Sequence, residues 1–180
     1  MIRTMGMLEL RSIAKGIETA DVMVKAAQVD LIYSKTICPG KYMIMISGDV
    51  GSVREAVERG IEAAGSYLVE SVVLPSIHPD IIDGIKGVKK QFTVNAVGVF
   101  ETIAVAAGVY AMDSALKAGQ VSLIRVNLGA GIGGKCYFIV TGEVSSVNEA
   151  LRAAENAVDK RKVLEKVIIP YPSQELIKTL

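Results

Sequence analysis

The sequence predicts a duplicated α+β fold, in which two copies of one domain follow each other along the chain. The first observation is an internal repeat, because ten residues recur at a constant offset of 92 positions. They are Gly6, Glu9, Gly16, Asp21, Lys25, Ala26, Gln28, Val29, Leu31 and Ile32, with counterparts from Gly98 to Ile124. The second observation is that each copy has the pattern strand, helix, strand, strand, helix, strand, which is the order of the ferredoxin-like, split βαβ arrangement. Each copy also has roughly 90 residues, which is enough to bury a core.

The first half of each copy predicts a strand, a helix and a hairpin. The first strand is predicted at Met5 to Leu10 and, in the second copy, at Val97 to Thr102. Small and apolar residues then recur at helical spacing, which predicts a helix after each strand. Two runs of strand-favouring residues, Val29 to Tyr33 and Tyr42 to Ile46, predict the hairpin of the first copy.

The second half of each copy predicts a helix and a closing strand. The helix is predicted to begin at a Ser-x-x-Glu capping box, Ser52 to Glu55 and Ser146 to Glu149. The closing strands are predicted at Leu68 to Leu74 and Lys166 to Ile169, each ended by the proline that follows it. These patterns place the two domains at residues 1–84 and 94–180, with a connection at about 82–93.

Composition excludes several classes of protein. Hydrophobic residues make up 51% of the chain, yet no apolar run reaches the roughly 18 residues of a membrane span. We therefore expect large subunit interfaces and no membrane partner. The net charge is +1 without a basic run, so no nucleic-acid partner is expected. Two cysteines do not make a disulfide framework, and the first residues do not resemble a signal peptide, so a reducing, cytosolic location is expected.

The candidate functional residue is Cys38, in the segment Lys35 to Lys41 between the two strands of the first hairpin. The Pro-Gly pair that follows Cys38 predicts a turn, which places this cysteine at a loop tip. The flanking lysines favour the thiolate, the form that binds metals. One thiolate cannot hold a metal or a cluster alone, so any metal role requires ligands from other copies of the chain.

Three segments of each copy carry a resemblance to a known family. In the first copy they are Gly6 to Glu9, Ala20 to Ala27 and Gly48 to Val50. Together with their counterparts in the second copy they resemble the bacterial microcompartment (BMC) shell domain over nearly the whole chain. The duplication resembles the tandem-domain shell proteins, which implies a homotrimer that mimics a hexamer, located in a bacterial microcompartment of the cytoplasm. Other BMC shell proteins are the implied partners.

The resemblance also implies a cofactor. Both hairpin loops resemble those of a group of tandem shell proteins that is associated with a [4Fe–4S] cluster on the trimer axis. This implies one cluster per trimer, held by Cys38 from each of three chains, with Lys35 and Lys41 offsetting part of the negative charge. Electron transfer across the shell, or delivery of a cluster to an enzyme inside, is the implied use, with encapsulated redox enzymes as candidate partners. Ala130 aligns with Cys38 in the second copy, so the second loop supplies no thiolate.

The resemblance further assigns roles to loop and edge residues. Lys25 and Lys117 match the lysine that lies at the edge of family tiles. An arginine that many single-domain members carry near the closing proline is absent from both copies. The residues expected to line a central pore are Thr36, Ile37, Pro39 and Gly40 in the first loop and Ala130, Gly131, Ile132 and Gly133 in the second.

The remaining motifs indicate structural roles. The glycines from Gly129 to Gly134 fit a G-x-G-x-x-G pattern, but a strand-like run follows them where a phosphate site requires a helix. Cys136 opens that run and is expected to be a small buried hydrophobe. His78 is the only histidine, lies between Ile77 and Pro79, and is expected to have a structural or interface role.

No catalytic constellation is recognised, so the chain is not expected to be an enzyme. Two alternatives stay open beside the cluster-binding shell protein. One is a shell tile without a cofactor, whose central loops form a metabolite pore. The other is a ligand-binding regulator built on ferredoxin-like domains and unrelated to a shell.

Overall fold

The structure, a computed structural model, describes residues 3–88, 90–91 and 93–180. Met1 and Ile2, at the predicted start of the first domain, and Lys89 and Phe92, in the predicted connection, lie outside the described residues. The chain divides into two compact units, of which the first ends at Pro79 and the second begins at Asp80.

The first unit is a four-stranded antiparallel sheet with two helices against one face. The strands lie in the order β2-β3-β1-β4, which is the order of a split βαβ fold, so the predicted fold is confirmed. Its elements are β1 (Arg3–Leu10), α1 (Ile13–Ala26), β2 (Asp30–Ile37), β3 (Lys41–Gly48), α2 (Val50–Ala64) and β4 (Leu68–Ile77), with a 3-10 turn at Gly65–Tyr67.

The second unit repeats this architecture with strand order β6-β7-β5-β8. A register shift falls at matching places in the two units, between Leu31 and Tyr33 and between Leu123 and Arg125. The elements are α3 (Pro79–Lys86), β5 (Ala96–Thr102), α4 (Val105–Ala118), β6 (Val121–Leu128), β7 (Cys136–Gly142), α5 (Val144–Asn156), β8 (Val163–Ile169) and α6 (Gln174–Ile177), with a 3-10 turn at Lys160–Lys162. Helix α3 begins at the last residue of the first unit and occupies part of the segment expected to be a connection.

Alternating side chains of the central strands divide each sheet into two faces. In the first unit, Leu8 of β1 and Ile44 and Ile46 of β3 join the core that packs beneath α1 and α2. Gly6 lies on the same face, where an added Cβ would come within 2.6 Å of Val57 in α2. Glycine therefore permits the close approach of this helix to the sheet.

The predicted capping boxes are wrong in both units. Helix α2 begins at Val50, and its N-cap is Asp49, whose carboxylate accepts the Ser52 N–H at 3.0 Å and the Ser52 hydroxyl at 2.7 Å. Ser52 is therefore a donor within the first turn and not the cap. Helix α5 likewise begins at Val144, two residues before the predicted box.

The predicted end of β4 at Pro75 is also wrong, since the strand continues to Ile77. β4 is an edge strand, and its pairing with β1 shifts register beyond Leu74. Proline has no N–H to donate and is tolerated at such an edge irregularity. The closing strand of the second unit ends at Ile169, directly before Pro170, as predicted.

The role of Asp49 gives a testable expectation. Hydrogen bonds from Ser52 hold the pKa of Asp49 below its ordinary value of 3.8. Asp49→Ala should lower the melting temperature at pH 7 by about 2–4 °C, and Ser52→Ala by less. The contribution of Asp49 is fully present above its unfolded pKa and is lost as pH falls through the lower folded pKa. Circular dichroism melts at pH 7 and well below pH 3.8 should therefore show the difference shrinking in acid, whereas a larger effect of Ser52→Ala would restore the capping-box prediction.

Candidate metal centre

Cys38 lies at the tip of the hairpin between β2 and β3, as predicted. Ile37 and Lys41 form the last pair of the ladder, so the turn consists of Cys38, Pro39 and Gly40. The Cys38–Pro39 peptide bond is cis, and Gly40 has a φ of 80°. The thiol is free and half-buried, so a sulfur donor is available at this tip.

The donor type fits an iron–sulfur cluster, since cysteine thiolates are the usual protein ligands of such clusters. Within the part of the chain that the structure describes, no group of three or more His, Cys, Asp or Glu side chains is arranged to hold a metal ion. A [4Fe–4S] centre usually takes four thiolates, and Cys38 supplies one. The described residues therefore provide a suitable ligand but not a complete site in one chain.

The other residues predicted to line the first loop are placed differently. Thr36, Pro39 and Gly40 are exposed around the tip. Ile37 is only 3% exposed, because its side chain joins the interior of the first unit. Its side chain therefore faces the interior of the unit, and the pore-lining role of these four residues stays a prediction.

The second loop joins β6 to β7 and is built from glycines. Gly129, Gly131, Gly133 and Gly134 all have positive φ, a conformation that other residues rarely adopt. The Asn127 side-chain amide donates to the Ala130 carbonyl at 3.3 Å. The loop leads into strand β7, as predicted, so it lacks the helix N-terminus on which a phosphate site of the G-x-G-x-x-G type depends. Ala130, Gly131 and Gly133 are exposed and Ile132 is half-buried.

The Glu9 carboxylate forms an ion pair at the base of the first loop, a contact that sequence patterns did not predict. Lys41 donates to Glu9 at 2.6 Å, and the Glu9 side chain is 6% exposed. The second unit repeats the pair, with Lys135 donating to Glu101 at 3.1 Å. In the sequence, this pair is indicated by the recurrence of the glutamate and the lysine at matching positions of the two copies.

The two lysines that flank Cys38 in sequence have different partners. Lys41 forms an ion pair with the nearly buried Glu9 carboxylate, so part of its charge is compensated within the first unit. Lys35 is exposed, and its ammonium lies 5.5 Å from the centre of the Tyr33 ring. The expected role of both lysines in offsetting the charge of a thiolate stays a prediction.

Cys136 is the opposite of Cys38 in its environment. It is the first residue of β7, is fully buried and is packed against Gly108 of α4. Burial raises the pKa of its thiol to about 12. The expectation that Cys136 is a small buried hydrophobe is confirmed.

The contrast between the two thiols predicts their reactivity. In iron-free protein at pH 8, we expect a disulfide reagent to modify one thiol per folded chain, and both thiols only after denaturation. Cys136 should stay unmodified because it is buried and protonated at that pH. Absorbance titration followed by peptide mass spectrometry would identify the modified residue, and rapid labelling of Cys136 in the folded chain would contradict this placement.

The predicted edge lysines occupy matching positions near the ends of α1 and α4. Lys25 donates to Asp21 at 2.6 Å, and Lys117 donates to Asp113 at 2.5 Å. His78 is half-buried directly before α3. The tiling role of the lysines and the structural role of His78 stay predictions.

The fold and the repeated sequence identify the class of protein. The sequence profile of the BMC domain matches residues 4–77 and 96–172. The chain therefore belongs to the BMC-domain family of bacterial microcompartment shell proteins, and the predicted family and compartment are confirmed. This assignment favours a shell protein over the alternative of an unrelated ferredoxin-like regulator.

Individual relatives extend over almost the whole chain. The chain is 47% identical to the bacterial microcompartment shell protein PduT of Citrobacter freundii over 177 residues, which are 98% of this chain and 96% of that protein. It is 30% identical over 190 residues to the carboxysome assembly protein CcmO of Synechococcus elongatus, covering 98% of this chain and 68% of CcmO. The first of these relatives is named as a microcompartment shell protein and the second as a carboxysome assembly protein.

Solved structures agree with the duplicated fold. A crystal structure of a microcompartment protein from Desulfitobacterium hafniense superposes with a TM-score of 0.95 at 38% identity and covers 99% of both chains. A fused, permuted hexameric shell protein of the RMM microcompartment superposes with a TM-score of 0.64 at 17% identity, covering 86% of this chain and 83% of that one. The second likeness supports the fold alone. Among the described helices, none has the length and apolar character needed to cross a membrane.

Proposed function

We propose that this shell protein is a homotrimer that holds one [4Fe–4S] cluster on its three-fold axis through Cys38 of each chain. The observation that carries the proposal is a free, accessible thiol at a hairpin tip in a chain that lacks a complete metal site among its described residues. On a closed three-fold ring, a residue that lies close to the axis meets its two equivalents from the other chains. Three copies thereby convert one ligand into three.

The difference between the two loops supports a three-fold site. The first tip carries Cys38, and the second carries Ala130 and glycines without a metal-binding side chain. A ring of three chains therefore has three thiolates among its six hairpin tips. The Glu9–Lys41 pair at the base of the first hairpin would hold the tip in position.

A bound cluster of this type supplies one-electron redox chemistry. Its proposed use is electron transfer across the shell, with encapsulated redox enzymes and the other shell proteins as partners. Cys38 would bind iron, and Thr36 and Pro39 would surround the axis.

The test is to purify or reconstitute the full-length protein without oxygen and to measure its iron, sulfide and mass. We expect about four irons and four sulfides for every three chains, together with a paramagnetic signal after one-electron reduction. A trimer that stays free of iron after reconstitution would contradict the cluster and would favour the tile with a metabolite pore.

A further inference from the structure

A cleft of about 420 Å³ lies along strand β6 of the second unit. Strand β6 is an edge strand, so one of its long sides is not paired with another strand of the sheet. Residues of helix α3, of the stretch that follows it and of the C-terminal segment around helix α6 complete the lining. A volume of this size lies within the range of small-molecule sites. We call this space the β6 cleft.

Helix α3 forms a wall of the β6 cleft because a glycine lets it approach the strand closely. A Cβ added at Gly84 would come within 2.8 Å of Leu123 and 3.4 Å of Val126. Any larger residue at this position would push the helix away from the strand or displace Leu123. The spacing between this wall and β6 is therefore set by the absence of a side chain at Gly84.

The end of α3 places a further apolar residue at the cleft. The Val88 N–H donates to the Asp83 carbonyl at 2.9 Å, and Gly87 between them has a φ of 73°. This is the geometry of a Schellman motif, which ends a helix and turns the chain sharply. The Val88 side chain lines the cleft and is 52% exposed.

Most of the side chains that line the β6 cleft are aliphatic. Leu123 is buried, whereas Val94, Val126 and Ile177 are half-buried. Removing the exposed parts of such side chains from water is favourable, so a ligand that covers them gains binding free energy. These walls therefore favour a ligand with an aliphatic portion.

The charged groups of the cleft leave one cation without a counter-charge. Lys90 donates to Asp80 at 2.8 Å and also pairs with Asp83 at 2.7 Å. Arg125 is exposed at the cleft and takes part in no ion pair with another described residue. A guanidinium binds a carboxylate through two parallel N–H donors. The charges therefore favour an anionic group beside Arg125.

The first unit does not repeat this chemistry. Tyr33 and Ser34 of β2 occupy the positions of Arg125 and Val126 in β6, at the same offset of 92 residues. The Ser34 hydroxyl lies 2.9 Å from the Tyr42 hydroxyl, so it serves a contact within the first unit. The repeated fold thus does not require an arginine or a valine at these places.

We propose that the β6 cleft binds an aliphatic carboxylate of medium chain length, with its carboxylate on Arg125 and its chain against Val88 and Val126. A small molecule is favoured over an added peptide strand, because the register shift between Leu123 and Arg125 interrupts this edge of the sheet. All the lining residues belong to the second unit, so each chain should bind one ligand. The site rests neither on the trimer nor on the cluster.

The test is a titration of the full-length protein with sodium octanoate, followed by NMR of the valine, leucine and isoleucine methyl groups. We expect saturable shifts of the methyl signals of Val88, Leu123 and Val126, with one octanoate bound per chain. Octan-1-ol has the same chain without the charge, so it should bind at the same place but about tenfold more weakly.

Substitution of the arginine tests the contact with the carboxylate. Arg125→Gln should weaken octanoate binding by about tenfold or more and should leave the affinity for octan-1-ol unchanged. Arg152→Gln is the matched control, since Arg152 is also exposed, lies on α5 of the same unit and is outside the β6 cleft. It should leave both affinities unchanged.

A pair of substitutions at the exposed Val88 tests the position of the charge. Val88→Glu should weaken octanoate binding and Val88→Lys should strengthen it, because the two side chains place opposite charges at the same point. Both variants should keep the circular dichroism of the wild type, since Val88 lies at the surface.

Three outcomes would overturn the site. The first is the absence of saturable shifts at the three methyl-bearing residues, and the second is an equal loss of affinity in Arg125→Gln and Arg152→Gln. The third is octan-1-ol binding as tightly as octanoate, which would show that no carboxylate is recognised.

Discussion

Replacing Cys38 by serine is expected to abolish iron binding to the trimer. The cluster would have three protein ligands, all of them the same residue, so one substitution in the gene removes the whole ligand set at once. Serine keeps the size of the side chain but is a poor ligand for iron–sulfur clusters, which are held by thiolates. After anaerobic reconstitution, the iron content should fall from about four atoms per trimer to the level found for a protein that does not bind iron. The paramagnetic signal should disappear.

The matched control for this experiment is Cys136→Ala. Cys136 is buried and protonated, so its removal should leave the iron content of the trimer unchanged. Ultracentrifugation should give the same mass for both variants, because Cys38 lies at an exposed turn and contributes little to the core. Iron retained by Cys38→Ser would eliminate the proposed centre, while the assignment to the shell family would be unaffected.

Gly16→Ala is expected to destabilise the first unit strongly. A Cβ at this position in α1 would lie 2.5 Å from Cβ, Cγ and Cδ1 of Tyr42. Tyr42 is held in place by burial and by a hydrogen bond of 2.9 Å with Ser34, and the atoms that clash are those nearest its backbone. Relief therefore requires the helix to move from the sheet, which should cost about 1–3 kcal/mol. The melting temperature should fall by roughly 2–4 °C per kcal/mol.

Gly51→Ala provides a control within the same unit. Gly51 lies in the first turn of α2, where an added Cβ would meet only Asp49 at 3.4 Å. Because alanine favours helices over glycine by up to about 1 kcal/mol, this variant should be as stable as the wild type or more stable. Equal losses in both variants would show that the packing of Gly16 against Tyr42 is not the cause.

The repeated architecture could be derived from the sequence because its signals are redundant. Glycine, glutamate and lysine recur at matching positions, and each strand or helix has a counterpart that supports its assignment. The predictions of helix and strand ends from short sequence motifs were wrong where a residue or strand outside the motif determined the end of the element. Asp49 displaced Ser52 as a helix cap, and Pro75 continued a strand because that strand lies at the edge of its sheet.

The candidate site was foreseen only in part. Turn residues around Cys38 are local in sequence, so the position of the thiol at the hairpin tip followed from them. The partner of Lys41 is Glu9, more than thirty positions away, and that pairing arises from strand register. The proposed three-fold convergence of thiols would be a property of an assembly, and the contacts within a single chain carry no direct record of it.

The pairing of glutamate and lysine at both hairpins, with a cysteine at one tip only, has an evolutionary consequence. When a single-domain ancestor assembles as a six-membered ring, every mutation at the tip is copied six times around the axis. When two copies are fused into one gene, a mutation at one tip is present three times around the axis. The two tips of the chain can then differ in sequence. Both halves of this chain carry the glutamate–lysine pair, while a cysteine stands at one tip and small residues at the other, so a duplicated chain can place different chemistry at the two tips.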